Sequence, residues 1–464
     1  YTAGLVVLAT GLGKTWLAAF DSARFRRILF VAHREEILDQ AVATFRRVRP
    51  SSRFGRLGAG KREFDAELVF ASVQTLAREA HLARFDADAF DYVVVDEFHH
   101  AAAATYRRVI DRLRPKFLLG LTATPDRGDG ADLLALCQEN LVFQRGIADG
   151  ISAGQLCPFR YFGVPDGVDY ANIPWRNARF DIDALTAAVA TEARARNALD
   201  QYRKLGGERC IAFCCSQRHA DFMAGFFRRE GIAAAAVHSG PGSAPRASSL
   251  QRLQAGELRV LFAVDMFNEG VDVPLVDTVM MLRPTESPII WMQQLGRGLR
   301  VAEGKAGLVV IDYIGNHRAF LAKLAAIAGL VGREEVGSGA MRDLLEAIRT
   351  GRIVLPPGCE VTYELEVQDI LSALLASSRN ATLLEAFYRD FLERHGRRPA
   401  AIEVFHAGFS PRAMADGGWV GFLARMGGLG EDAASVEPRL KAFARLQSVD
   451  LAAVLLLRTL LAAT

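Results

Sequence analysis

LATGLGKT, residues 8–15, decides the fold. It leaves a short apolar run at residues 5–8 and enters a segment with helical spacing, so it reads as strand, loop, helix. Gly11 and Gly13 allow backbone N–H groups to close on phosphate oxygens, with Ala9, Thr10 and Leu12 completing the loop. Lys14 offers a point charge to the terminal phosphates, and Thr15 supplies a hydroxyl to a magnesium ion. The strict pattern has glycine where Leu8 stands. A glycine turn with a chance Lys-Thr is the plain alternative, and the strand-loop-helix context argues against it.

A second strand end completes the chemistry. The apolar run at residues 92–95 drives straight into Asp96-Glu97-Phe98-His99, placing two acids at the carboxyl end of a buried strand, where open α/β sheets bind ligands. Asp96 suits a magnesium ligand, direct or through water, and Glu97 suits the group that orients and activates an attacking water. An acidic helix start is the plain reading of a single Asp-Glu; the loop upstream favours the nucleotide site. His99 and His100 invite a metal reading with Asp96, yet no further ligands stand at metal spacing, so a coupling role or helix packing is expected.

Outward from these motifs, β-branched runs at residues 5–8, 28–32, 68–71, 92–95 and 117–121 alternate with amphipathic stretches, the pattern of a doubly wound parallel α/β sheet. The pattern repeats at residues 210–214, 234–237, 260–263, 278–282 and 308–312. Residues 144–183, with Pro158, Pro165 and Pro174, suit a connector. A glycine-rich break at Gly332, Gly337 and Gly339 precedes a tail expected to be mainly helical. There Asn380 caps a helix over 381–395, Gly396 and Pro399 end it, and Ser410-Pro411 opens another. The expected division is 1–143, 144–183, 184–330 and 331–464.

At 464 residues the chain exceeds one compact core. Half its residues are hydrophobic and 23% are charged, a balance that argues against extended disorder. A formal charge of +3 neither demands nor excludes a nucleic-acid partner, so any basic groove must be local. Six cysteines lack zinc-type pairing, which suggests reduced thiols in a cytoplasmic protein. The most apolar late stretch, 451–464, is broken by Arg458 and is too short for a span of about 20 residues, so no membrane partner is expected. The chain opens at Tyr1 rather than a methionine, so native sequence is expected upstream.

Further motifs fall in a recognisable order. Val31-Ala32-His33-Arg34-Glu35 with Gln40, then Ser72-Val73-Gln74-Thr75-Leu76, follow the first loop; Leu121-Thr122-Ala123-Thr124-Pro125 follows the acids. Later come Phe213-Cys214-Cys215-Ser216, Val237-His238-Ser239-Gly240, the run from Ala263 to Pro274, and Gln293-Gln294-Leu295-Gly296-Arg297-Gly298-Leu299-Arg300. On a helix, Gln293, Arg297 and Arg300 fall on one face, able to point into a cleft. Arginine there is a planar, always-charged donor for a γ-phosphate. A solvated arginine face does not explain why the glycines and glutamine fall as they do.

On these motifs the chain resembles the superfamily 2 helicases of the DExH type over about residues 1–320. The resemblance implies two tandem RecA-like P-loop domains followed by a mainly helical region, with ATP and Mg2+ as cofactors. Leu8 is tolerated by the helicase variant of the loop. The resemblance further implies that Arg34, Gln74, Thr75, Ser216 and His238 approach a nucleic-acid backbone. By the same token, Thr122 and Thr124, with His99, link ATP state to strand binding, and Gly270 and Asp272 sit near ATP. The stretches DEFHHAAAATYRR and LLGLTATPDRGDG are similar to bacterial motors related to the helicase subunits of type I and type III restriction enzymes, some of which carry an upstream phospholipase-D-like nuclease. No His-x-Lys signature of such a nuclease occurs here.

The implied function is an ATP-dependent helicase or translocase acting on DNA, with a nuclease module upstream or in trans as a further partner. Three alternatives stay open: a translocase that pumps duplex without separating strands, a non-catalytic nucleic-acid-binding switch with a degenerate ATP site, and an unrelated P-loop NTPase. The last leaves the motifs of the second half unexplained.

Overall fold

The structure, a computed structural model, describes residues 1–377 apart from 102, 124–132, 177–178, 265–266, 268–272, 286 and 332–337, together with isolated residues between 385 and 426. The first sheet is built from β1 (Ala3–Leu8), β2 (Ile28–Ala32), β3 (Phe54–Gly58), β4 (Lys61–Arg62), β5 (Leu68–Ser72), β6 (Tyr92–Val95), β7 (Phe117–Thr122) and β8 (Leu141–Arg145). Their order is β4-β3-β5-β2-β6-β7-β1-β8, and every pairing is parallel except β3 with β4. The strands of its centre are buried throughout, which is why they read as unbroken apolar runs.

The second sheet takes β9 (Phe159–Pro165), β12 (Cys210–Phe213), β13 (Ala234–Val237), β14 (Val260–Ala263), β15 (Thr278–Met281), β16 (Leu308–Ile314) and β17 (Glu360–Tyr363). A small antiparallel ribbon, β10 (Trp175–Arg176) with β11 (Arg179–Phe180), precedes its helices. The order is β13-β14-β12-β15-β16-β9-β17, all parallel.

Three features depart from expectation. The presumed connector, 144–183, supplies β9, a strand beside β16; Pro158 and Pro165 bracket it because a strand end tolerates proline where its centre does not. The tail, expected to be mainly helical, carries the helices Ser338–Arg349 and Leu365–Ser377 and, beyond that expectation, supplies β17 between them. The helix expected to carry Gln293, Arg297 and Arg300 on one face ends at Leu295. Gly296 and Gly298 are poor helix residues, and Arg300 instead pairs with Leu156 as an antiparallel bridge. Asn380, Ser410 and Pro411 lie outside the described residues.

All six cysteines are free thiols, five of them buried. No helix among the described residues is long and apolar enough to cross a membrane.

Candidate functional site

The loop between β1 and the helix α1 (Lys14–Asp21) adopts left-handed backbone at Gly11 (φ 94°) and Gly13 (φ 85°), conformations that glycine reaches without a Cβ penalty. Gly13 is the N-cap of α1 and no side chain caps it, so the first N–H groups of the helix face the loop. Such a terminus favours an anion. Lys14 Nζ lies within the loop, donating to the Leu8 carbonyl at 3.3 Å. Thr15, the second residue of α1, stands beside it.

Across from this loop, at the end of β6, Asp96 is 4% exposed and Glu97 is 7% exposed. Burial, with the neighbouring Glu97 charge, pushes the Asp96 carboxyl up to about 7, against the pull of Lys14. The Glu97 backbone N–H donates to Asp96 Oδ1 at 2.9 Å. Glu97 itself sits at φ 50°, a conformation a non-glycine residue holds only when its surroundings enforce it. That enforcement is visible in the packing: a Cβ at Gly120 of β7 would fall 2.7 Å from the Phe98 ring, so the turn after β6 lies flat on β7. The Glu97 Oε2 atom is buried, 3.4 Å from His99 Nδ1, and has no hydrogen-bond partner among the described residues. An orphaned carboxylate oxygen beside a raised carboxyl and an ammonium is a donor set that fits a hydrated divalent cation with a bound polyphosphate.

His99 Nδ1 also lies 3.4 Å from Thr122 Oγ1 at the end of β7. His33, at the end of β2, meets His100 edge-on at 5.1 Å between ring centroids. The spacing argument missed this imidazole group, because its three rings converge only once β2 lies against β6.

The second sheet reaches the same loop. A Cβ at Gly296 would lie 2.8 Å from Thr10 Cβ, and one at Gly11 would meet the Leu156 side chain at 2.9 Å and the Arg300 side chain at 3.4 Å. Ala9 belongs to the same buried cluster as Leu156, Leu295 and Leu299. Arg297 is 8% exposed, and its Nε donates to the Gln293 carbonyl at 3.2 Å. Gln293 is buried in the same turn. Gly270, Asp272 and Thr124 lie outside the described residues.

The residues expected at a nucleic-acid backbone divide. Arg34 stands at the N-terminus of α2 (Glu35–Val48), its Nε donating to His33 Nε2 at 3.2 Å. Gln74 is exposed on the short helix α3 (Val73–Leu76), and Thr75 beside it accepts from the Ser72 hydroxyl at 2.8 Å. Ser216 is the N-cap of the helix Gln217–Arg229, accepting from the His219 N–H and from the Thr186 hydroxyl. His238 is 5% exposed, with Nε2 3.1 Å from Asp221 and Nδ1 accepting from the Gly240 N–H. Both ring nitrogens are thus committed to holding the turn after β13. Sequence spacing also missed a tie between the two sheets, an ion pair of Arg246 with Glu36 of α2.

Two family models match this chain. Residues 2–127 match the family model described as type III restriction enzyme, res subunit, and residues 194–302 match the helicase conserved C-terminal domain. The chain is 28% identical over 334 residues to a Saccharomyces cerevisiae protein named "Putative ATP-dependent helicase IRC3", covering 67% of this chain and 48% of that one. The structure described as a fragment of "a putative HsdR subunit of a type I restriction enzyme" from Vibrio vulnificus superposes with a TM-score of 0.52 at 27% identity, covering 67% of this chain and 59% of that one. The type ISP restriction-modification enzyme LlaBIII, solved bound to DNA, shares the fold with a TM-score of 0.58 at 14% identity over 85% of this chain and 33% of that one. The chain spans about half the length of the curated relatives it matches.

Proposed function

We propose that the chain is the ATP-driven motor of a DNA helicase or translocase of the superfamily 2 type, with a restriction-subunit-like relationship. The observation that carries the reading is the meeting of Gly296 and Arg300, from the second sheet, with Thr10 and Gly11 of the phosphate loop. A loop that binds phosphate on one domain and an arginine pair delivered by another form a site whose completeness depends on how the two domains sit.

In this reading Lys14 and the N–H groups at the start of α1 hold the terminal phosphates of ATP. Thr15 and Asp96 would hold a magnesium ion, which would supply charge neutralisation at those phosphates. Glu97, with an uncommitted buried oxygen, accepts the proton of the attacking water. Arg297 and Arg300 stabilise the transferred phosphoryl group, a contribution of roughly 10³–10⁵ in rate where such arginines have been removed. Hydrolysis and phosphate loss weaken the bond between the domains, so each cycle changes the spacing of backbone contacts and moves the protein along its track.

DNA as the track rests on the restriction-enzyme relationship. Phosphate contacts carry no base information, so the motor works on any sequence. Arg34, Gln74 and Thr75 line the strand path on the first domain. The pairing of Ser216 with His219 and Thr186, and of His238 with Asp221 and Gly240, leaves them as supports of that path on the second. The residues of the motor do not distinguish strand separation from pumping of intact duplex. Displacement of a labelled strand from a tailed duplex, run beside displacement of a third strand from a triplex, separates the two. Activity in both assays identifies a helicase; activity with the triplex alone identifies a duplex translocase; activity in neither, with ATP turning over, removes the motor reading.

A further inference from the structure

Lys305, in the turn before β16, directs its ammonium at three carbonyls: Pro274 at 3.0 Å, Gly298 at 2.5 Å and Arg300 at 3.0 Å. An ammonium has three N–H donors, so all are used. Two of the acceptors flank Leu299 in the arginine-bearing turn. The third, Pro274, closes the segment that holds Gly270 and Asp272. The remaining carbonyl of the turn is also taken: Cys157 N–H donates to Leu299 O at 2.8 Å, and Cys157 Sγ reaches Gly298 O at 3.5 Å. Beyond the helix Pro288–Leu295, then, the path of the chain from Gly298 to Arg300 is set by donors from outside it.

From this geometry we infer that Lys305 is a positioning residue for hydrolysis, a three-way clamp that sets Arg300, and with it Arg297, against the phosphate loop. The inference rests on the assignment of those arginines to the terminal phosphate. A lysine suits the place because its flexible stem carries donors that radiate from one point, whereas the planar fork of arginine aims its donors along fixed directions. The clamped carbonyl belongs to Arg300 itself, whose side chain lies against Gly11. Placement is therefore transmitted directly to the group that would meet phosphate. A shift of about 1 Å in a catalytic group can cost on the order of 10²-fold in rate. A clamp of this kind acts on turnover more than on nucleotide affinity, since the loop around Lys14 is untouched.

The test compares single-turnover ATP hydrolysis by the full chain, with single-stranded DNA present, in Lys305→Met, Arg297→Ala/Arg300→Ala and the triple variant, alongside binding of a fluorescent ATP analogue and thermal unfolding. The expected result is a fall of about tenfold or more for Lys305→Met, with affinity for the analogue within about twofold of wild type. No further fall is expected when the substitution is added to the double-arginine variant. An equal fall in both backgrounds, or a rate within about twofold of wild type, overturns the clamp. If the double-arginine variant keeps wild-type turnover, the arginine assignment fails first and the clamp falls with it. Lys305→Gln, which retains two donors, is expected to fold and to lose less rate than Lys305→Met; failure of both variants to fold gives Lys305 a structural role and removes the inference.

Discussion

His99 and Thr122 meet at 3.4 Å between Nδ1 and Oγ1, joining the turn that carries Glu97 to the end of β7. The same imidazole nitrogen lies 3.4 Å from Glu97 Oε2. A change at the carboxylate therefore has a two-step route to the segment after Thr122. Replacing Thr122 with valine removes the hydroxyl and keeps the shape. The expected outcome is an ATP hydrolysis rate without nucleic acid within about twofold of wild type, and a stimulation by nucleic acid reduced between about twofold and tenfold, the range for one lost hydrogen bond of ~0.5–1.5 kcal/mol. Equal loss of basal and stimulated rates would place Thr122 in the hydrolysis step instead.

Gly296 is required by space at the join between the sheets. Its Cβ position lies 2.8 Å from Thr10 Cβ, closer than two carbons pack. Gly296→Val should wedge the arginine-bearing turn away from the phosphate loop and lower kcat/KM for ATP by about tenfold or more, equivalent to ~1.4 kcal/mol. Circular dichroism should be unchanged, since neither sheet is touched. A normal kcat/KM would show that the join is not part of the working site.

Much of this was legible from the sequence, and the reason is physical. Ten buried parallel strands appear as continuous apolar runs because both their faces are covered. The strands that escaped notice are those at or near sheet edges. β3 contains Gly55, Arg56 and Gly58, β9 is flanked by Pro158 and Pro165, and β17 is exposed at Glu360. LATGLGKT and Asp96-Glu97 are local motifs whose proposed chemistry needs adjacent side chains, so they stand out in the sequence alone. Lys305 and Cys157 act on backbone carbonyls, which every residue possesses, and no side-chain pattern announces them. The end of the helix at Leu295 was foreshadowed by Gly296 and Gly298, which the periodicity of the arginines concealed.

Asp312 anchors the helix that leads to the arginines. It is fully buried, accepts from Trp291 Nε1 at 2.9 Å and from Tyr161 Oη at 3.0 Å, and pairs with buried Lys323. Asp312→Ala strands the Lys323 charge in the core and should cost roughly 3–5 kcal/mol of stability. The double variant Asp312→Leu/Lys323→Met should cost less, because no buried charge remains. Urea unfolding measures both; equal losses would mean that the ion pair contributes nothing beyond the volume it fills.

His317 gives the second domain an acid sensitivity. It packs on Trp175 and Phe180, at 4.6 and 4.7 Å between ring centroids, and its Nδ1 accepts from the Ala319 N–H. Burial, helped by the Arg318 charge, lowers its pKa to about 4. The ordinary value is about 6.5, so between these limits the unfolded chain binds the proton more readily and stability falls as pH drops. Buried His219, lowered in the same direction by desolvation, adds to the effect. The thermal midpoint should therefore decline from pH 7 toward pH 4.5. In His317→Asn, which keeps a capping acceptor but does not titrate, the decline should be shallower. An unchanged slope would remove His317 from the account.

The proposed motor requires one ATP site that is completed by both domains and answers to a nucleic acid. The most direct measurement is steady-state ATP turnover by the chain without polymer and with single-stranded DNA, duplex DNA and RNA, repeated in Lys14→Ala and Glu97→Gln. Turnover stimulated by DNA and abolished in both variants is the expected result, with ATP still bound by Glu97→Gln. Turnover indifferent to every polymer, or surviving the loss of the Glu97 carboxylate, would contradict it.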